Sequence, residues 1–366
     1  MVGLLPIYIT QVLHQKPYVF GLIMAMTYGI GSTISYAGGR IGDRLNKRRV
    51  ALAGNLLIPL LSFSGLPSNV FASGGLYMGG WFARDFRSPP RRAMLVEASD
   101  PAYRSSVFGL LHGLDVGGGT VSALLAFFLL TSGFRIGEVM LVSIAPILTS
   151  SVVLYLTKGE KHENYVRSLS SEGKTAVEDA AGFSDKRLFF AAVALFGFSY
   201  YSLGFPIITV TNETGSYALG IATYAIFLVS SGLSGFAFGL TRLNAIRTLW
   251  KLGYAVAAVA SLLIALSYQF HAGIAGFYPA TAVLGLGAGV VETYEPVVAT
   301  ALVPSRRLSR GLGSLSQWRS IGLFTSNILM GVLFTISVFS SYLYAFATAL
   351  AGALILAVLA RRTKIQ

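Results

Sequence analysis

The 366-residue sequence contains no cysteine, which excludes disulfides, thiolate metal sites and cysteine nucleophiles. Histidine is nearly as scarce: four scattered residues make no metal-ligand pattern. Charge is thin, at 12% of residues against 54% hydrophobic, so no large soluble domain fits. Acids are outnumbered by bases, 15 to 28, an imbalance that would suggest nucleic acid in a soluble protein. In a chain this apolar, with a mean hydropathy of +0.66, the bases must first be read for their distribution between loops. What is abundant instead is long apolar runs and 41 glycines, the composition of a membrane protein.

The apolar runs fall at 1–13, 18–38, 50–66, 69–90, 106–132, 136–157, 188–210, 216–240, 248–268, 272–300, 311–337 and 341–360. A spanning helix needs about 20 such residues, so the reading is an all-α polytopic protein of twelve spans. The longest polar stretch, Lys158 to Arg187, carries six basic and six acidic residues and separates the sixth span from the seventh. The expected organisation is an N-terminal six-helix bundle at 1–157, a linker at 158–187 and a C-terminal six-helix bundle at 188–366. With alternate connections assigned to one side, 25 of the 28 bases fall on that side, counting Arg84 and Arg87 at the inner end of span four; Lys16 and Arg135 lie opposite and Arg319 lies within a span. The positive-inside rule makes that side cytoplasmic. It places the protein in the cell membrane with both termini cytoplasmic, the lipid bilayer as its partner and no nucleic acid. The chain is expected to be a monomer. The first run is short: thirteen residues at about 1.5 Å each cross about two-thirds of a 30 Å hydrocarbon core. The expectation here is a truncated first helix, from a misassigned start or a fragment.

The two halves repeat. Arg44-Leu45-Asn46 after the second span recurs as Arg242-Leu243-Asn244 after the eighth. Gly109, Leu111 and Asp115 in the fifth span recur, with the same spacing, as Gly313, Leu315 and Arg319 in the eleventh. Span four carries Arg84 and Arg87 around Phe86, and span ten carries Glu292 and Glu295 around Tyr294, so the charges are inverted between the halves. Counted from the hairpin prolines Pro101 and Pro304, Arg87 is level with Asp115, and Glu292 roughly level with Arg319. Each half is therefore expected to hold one buried ion pair.

At these residues the sequence resembles the major facilitator superfamily. Gly39, Asp43, Arg44, Lys47 and Arg48 match that family's signature between its second and third helices, with Asn46 in place of the usual glycine. Gly80, Arg84, Arg87, Pro89, Arg91, Ala93, Pro101, Arg104, Phe108, Gly109 and Asp115 look like a prokaryotic branch of mostly unassigned substrate. The resemblance implies the twelve-helix fold of two pseudo-symmetric bundles, transport by alternating access, and a central cavity lined by helices 1, 4, 7 and 10. It also implies a conformational gate at Gly39, Asp43, Arg44 and Arg48, with Asp43 directed at the start of helix 11 near Arg310 and Gly311. The glycine-proline motif of drug antiporters is missing: Gly113, Gly117, Gly118 and Gly119 have no proline among them.

Charges inside spans are costly, so they are functional candidates with partners to be named. Arg84, Arg87 and Arg91 share one helical face, whose guanidinium forks suit a carboxylate or a phosphate. The alternative is structural pairing with Asp115 and Asp85. Glu292 and Glu295 with Arg319 suit coupling: desolvation favours a protonated carboxyl and an arginine favours the charged one, so a helix movement at Arg319 would load or release a proton. No cofactor is required beyond a proton gradient. Closing contacts between span ten and span four, through Arg84 and Glu292, are a further expectation. His112 lies one turn from Asp115, and Tyr200 sits before the interruption at Gly204 and Pro206, where a span could open onto a cavity. A membrane enzyme or a non-transporting sensor are the rival classes; the zinc, nucleophile-elbow and phosphate-loop motifs are all missing, so the chain is not read as an enzyme. Within transporters, an organic-anion symporter and a drug or metabolite efflux antiporter both remain open.

Overall fold

The computed structural model of the chain describes residues 3–97, 104–156, 183–199, 203–241, 243–302 and 308–362. Among these residues all regular structure is helical. Every apolar run read from the sequence is a helix or a short series of helices. The first, α1, is Leu5–Ile7 continued by a π-helical turn at Tyr8–Val12. α2 is Pro17–Arg44. α3 runs Lys47–Leu57 and resumes past Pro59 as Leu60–Phe63, while α4 is Val70–Glu97 and α5 Arg104–Thr131. α6 comprises Ile136–Val142 and Ile144–Leu156; α7 comprises Phe183–Ser199 and Gly204–Thr214. α8 is Tyr217–Gly239. α9 is Ala245–Thr248, a π-helical stretch Leu249–Tyr254, then Ala255–Gln269. α10 is Gly273–Ala301, α11 Leu308–Ile336 and α12 Val338–Arg362. Eight of these are long and apolar enough to cross a membrane by length and composition. α4 misses that threshold because its second half carries five charges from Arg84 to Arg92.

The recurring Arg-Leu-Asn has a local cause. Asn46 is the N-cap of α3, its side chain accepting from the backbone N–H groups of Arg48 and Arg49 at 3.0 and 3.2 Å. Asn244 caps α9 in the same way, accepting from Arg247 N–H at 3.0 Å. A short amide acceptor is among the strongest helix starts, so the same tripeptide reverses the chain in both halves.

Within the first six helices α4 is the hub, packing on α2 and α3, while α3 also packs on α6. Within the last six, α10 packs on α8 and α9, and α12 on α7 and α9. Contacts between the two groups run through α2 with α11, α5 with α8 and α1 with α7. Two of these junctions lie at the face opposite the basic loops, and small residues make them close. A Cβ placed on Gly21 would lie 2.5 Å from the carbonyl oxygen of Asn327 and 3.0 Å from the Cα of Gly331. Beside it, Phe205 of α7 sits between Phe20 of α2 and Phe334 of α11, with ring centroids 5.5 and 5.4 Å away. Gln11 Nε2 donates to Asn212 Oδ1 at 2.9 Å at the same end. Many large apolar side chains, among them Phe71, Leu124, Phe128, Leu233 and Leu354, stay exposed, as a surface solvated by lipid requires.

Candidate functional site

α4 brings the basic residues together. Pro89 and Pro90 lie inside this helix, so the carbonyls of Asp85 and Phe86 lose their helical donors. The Phe86 oxygen lies against Gly38 of α2, where only a glycine leaves room for it. Asp85 Oδ2 similarly lies against Gly31. Towards the basic face, Arg84, Arg87, Ser88, Arg91 and Arg92 of α4 with Leu111 and Asp115 of α5 enclose a cavity of about 210 Å³. Four guanidinium groups line it against one carboxylate.

The ion pair of this half is Arg91 with Asp115, Nη2 to Oδ1 at 3.0 Å, and not Arg87 with Asp115 as level counting from Pro101 suggests. The reason is reach: an arginine arm spans about one helical turn, so the base one turn nearer the loop meets the acid. Nor is the pair buried, with side chains 34% and 48% exposed. Arg87 turns the other way and donates Nη1–H to Asn55 Oδ1 at 2.5 Å, while its buried Nε has no partner. Arg84 lies over the indole of Trp81, 4.6 Å from the ring centroid, as part of an aromatic group in which Tyr28 meets Trp81 edge-on and Tyr77 stacks on it. Tyr224 of α8 is within electrostatic reach of Arg84. Tyr200 lies outside the described residues.

In the other half Arg319 joins both glutamates. Its Nη1 donates to Glu292 Oε1 at 2.8 Å, its Nε to Glu295 Oε2 at 3.1 Å, and its Nη2 also meets Glu295 Oε2. Glu295 is fully buried, and its second oxygen accepts the hydroxyl proton of Tyr254 at 2.5 Å. Glu292 is looser: 26% exposed, it lies within electrostatic reach of Arg92 on α4 and His112 on α5. The arginine of α4 within electrostatic reach of Glu292 is therefore Arg92, about two turns further towards the basic face than the expected Arg84. His112 engages α8 and not Asp115: its Nε2 is 3.4 Å from Ser231 Oγ, against Gly235.

Of the expected gate, Gly39 packs on Pro89, Arg44 ends α2 on the surface, and Arg48 ties α3 to α6, donating to the Leu154 carbonyl at 3.2 Å beside the Tyr155 ring. The side chains of Asp43 and Arg310 lie outside the described residues.

A sequence model of the Major Facilitator Superfamily matches residues 1–325, close to nine-tenths of the chain. The chain belongs to the major facilitator superfamily. No curated protein matches the sequence significantly. Among solved structures, a POT family transporter in complex with a thioalcohol-conjugated peptide is similar with a TM-score of 0.73 at 12% identity, covering 99% of this chain and 92% of that one. The nucleoside transporter NupG gives a TM-score of 0.73 at 13% identity, covering 98% of this chain and 94% of that one. A bacterial homologue of the human lysosomal transporter Spinster, inward-facing and unoccupied, gives 0.61 at 15%, covering 98% and 92%. At such identities the likeness is one of fold. This superfamily member is a multi-pass membrane protein of membrane transport, and a small-molecule solute and membrane lipid are its partners.

Sequence reasoning missed four residues of this candidate site. Arg92 was masked by its neighbour Arg91, because adjacent bases near a loop read as topology signals. Asn55, Ser151 and Tyr254 are neutral residues inside apolar runs, and a single neutral polar residue in a span carries no periodic signal.

Proposed function

We propose that this chain is a secondary active transporter that moves a small organic solute of anionic character by alternating access, driven by a proton gradient. The observation that carries the reading is the cavity between α4 and α5, where four guanidiniums face one carboxylate. Asp115 is matched by Arg91, which leaves Arg84 and Arg87 with no carboxylate within ion-pair distance among the described residues. An entering carboxylate or phosphate would complete them, and arginine forks hold such groups bidentately.

Coupling rests on the unequal hold on the two glutamates. Glu295 has three contacts from Arg319 and Tyr254, whereas Glu292 has one and faces Arg92 and His112 across the two bundles. When the bundles rock apart, Glu292 leaves Arg92; a proton then replaces the lost positive charge, and loading one side becomes tied to conformation. The close glycine contact of α2 with α11 and the aromatic seal around Phe205 support a state closed at the face opposite the basic loops. The protein is taken to act as a monomer in the cell membrane, with both termini cytoplasmic by the distribution of bases.

Proteoliposomes loaded with the purified protein and offered a panel of organic anions, amino acids and sugars, with and without a proton gradient, test this. Gradient-stimulated uptake of an anion, abolished in Arg87→Ala, is expected. Transport of neutral or cationic solutes only, unaffected by Arg87→Ala, would overturn the assignment.

A further inference from the structure

Asn55 lies fully buried in α3, and its hydrogen bonds have one consistent direction. Ser151 Oγ of α6 donates to the carbonyl of Ile147 at 3.1 Å, so at its 2.6 Å contact with Asn55 it acts as acceptor and the amide presents Nδ2. The other end of the amide, Oδ1, is thereby fixed towards Arg87, whose Nη1 it accepts at 2.5 Å. A chain of three side chains on α6, α3 and α4 sets where the guanidinium of Arg87 stands. Its Nε is buried without a hydrogen-bond partner.

The second half holds its own inner charge in the same way. Tyr254 of α9 donates to Glu295 of α10, and Glu295 occupies the repeat position of Arg87. Each anchor follows a glycine. A Cβ on Gly54 would lie 2.8 Å from the Cβ of Arg87 and 2.9 Å from the Ala83 carbonyl oxygen; one on Gly253 would lie 3.0 Å from the side chain of Val291, the repeat position of Ala83. From the capping asparagine to this glycine the chain counts eight residues in α3 (Asn46 to Gly54) but nine in α9 (Asn244 to Gly253). The additional residue is absorbed by the π-helical turn Leu249–Tyr254, so Tyr254 still arrives against α10.

We propose that Asn55, oriented by Ser151, is a positioning residue that presents Arg87 to the anionic solute, as Tyr254 positions Glu295 for Arg319. This rests on the anion-binding reading above. A neutral oxygen acceptor is what the task requires: it holds the guanidinium in place without cancelling the charge that the solute must meet, whereas a carboxylate at the same position would hold it and cancel it.

The test titrates the purified full-length protein in detergent with inorganic phosphate and with succinate, alongside Asn55→Asp, Asn55→Ala, Ser151→Ala and Arg87→Ala, recording anion affinity and thermal stability for each. Asn55→Asp is expected to weaken anion binding about tenfold or more, the weight of one charge-assisted hydrogen bond, while its melting temperature stays at or above that of the parent. Ser151→Ala frees the amide to rotate and is expected to weaken binding severalfold in a folded protein. A packing role alone would move stability and leave the affinity of Asn55→Asp unchanged. Parental affinity in both Asn55→Asp and Ser151→Ala, with binding lost in Arg87→Ala, overturns the positioning role while sparing the cavity. Absence of binding of either anion by the parent overturns the anion-binding reading, and the positioning role with it.

Discussion

Replacing Arg319 with glutamine strands Glu295 without its cation at a fully buried position. The Glu295 side chain is fully buried, that of Arg319 is 20% exposed, and the two share two of the three contacts that Arg319 makes to the glutamates. Removing one partner of a buried pair costs about 3–5 kcal/mol, because the remaining charge keeps its desolvation penalty. Glu292, 26% exposed, adds less, since solvent screens it. The Tyr254 hydroxyl stays on Glu295 and offsets about 1–2 kcal/mol of the loss. A net destabilisation of about 2–4 kcal/mol is therefore expected for Arg319→Gln. Removing the stranded charge as well, in Arg319→Gln with Glu295→Gln, should recover at least about half of it. Acid acts in the same direction: a proton on the stranded carboxyl relieves the penalty, so the deficit should shrink as pH falls, by up to about 1.4 kcal/mol per unit. Unfolding in mixed micelles followed by tryptophan fluorescence measures all three, with Trp318 beside the substituted residue. Equal stability of Arg319→Gln and the parent at neutral pH, or strict additivity of the two substitutions, would refute the reasoning.

Asp115→Asn should cost no more than about 1 kcal/mol in the same unfolding measurement, because the Arg91 pair it breaks is half-exposed; a loss of several kcal/mol would place that pair in a drier setting than the one seen. Tyr254→Phe keeps the ring stacked on Phe196 but removes one donor from Glu295, with an expected loss of about 1–3 kcal/mol, and the loss should be smaller when Glu295 is already glutamine. Gly331→Leu inserts a side chain where the Cα of Gly21 stands 3.3 Å from an added Cβ, prising α2 from α11. With no native thiol in the chain, a single cysteine at Asn212 should then react faster from the face opposite the basic loops, and unchanged labelling would show that this contact does not close that face.

The spans were legible because a bilayer leaves few options: apolar runs of sufficient length must be helices, and every run found by inspection is helical among the described residues. The inverted charges of span ten and span eleven were legible for a related reason. Charge inside a span is so costly that Glu292, Glu295 and Arg319 had to find one another. The first bundle was harder, since five charges crowd α4 between Arg84 and Arg92 and the choice among them depends on side-chain reach. Counting residues from Pro101 assigned Asp115 to Arg87; the side chain of Arg91, one turn nearer, makes the contact. Asn55 and Tyr254 could not have been matched from spacing, because the residue that offsets them is hidden in a change of helical pitch.

That change of pitch has a consequence for how such a molecule tolerates alteration during its history. Inserting one residue into a regular helix turns everything beyond it by about 100° and would swing the whole far end of α9 off its neighbours. A single wide turn confines the disturbance to six residues, Leu249–Tyr254, and the ladder from Ala255 to Gln269 runs on undisturbed against α10 and α12. If the two bundles descend from one duplicated ancestor, the wide turn is the scar of an insertion that was survived, and any gene-level alignment of the halves needs its gap there. Excising one residue between Leu249 and Leu252 should be the least harmful deletion that α9 can accept, since it would return the helix to the period its counterpart α3 still keeps.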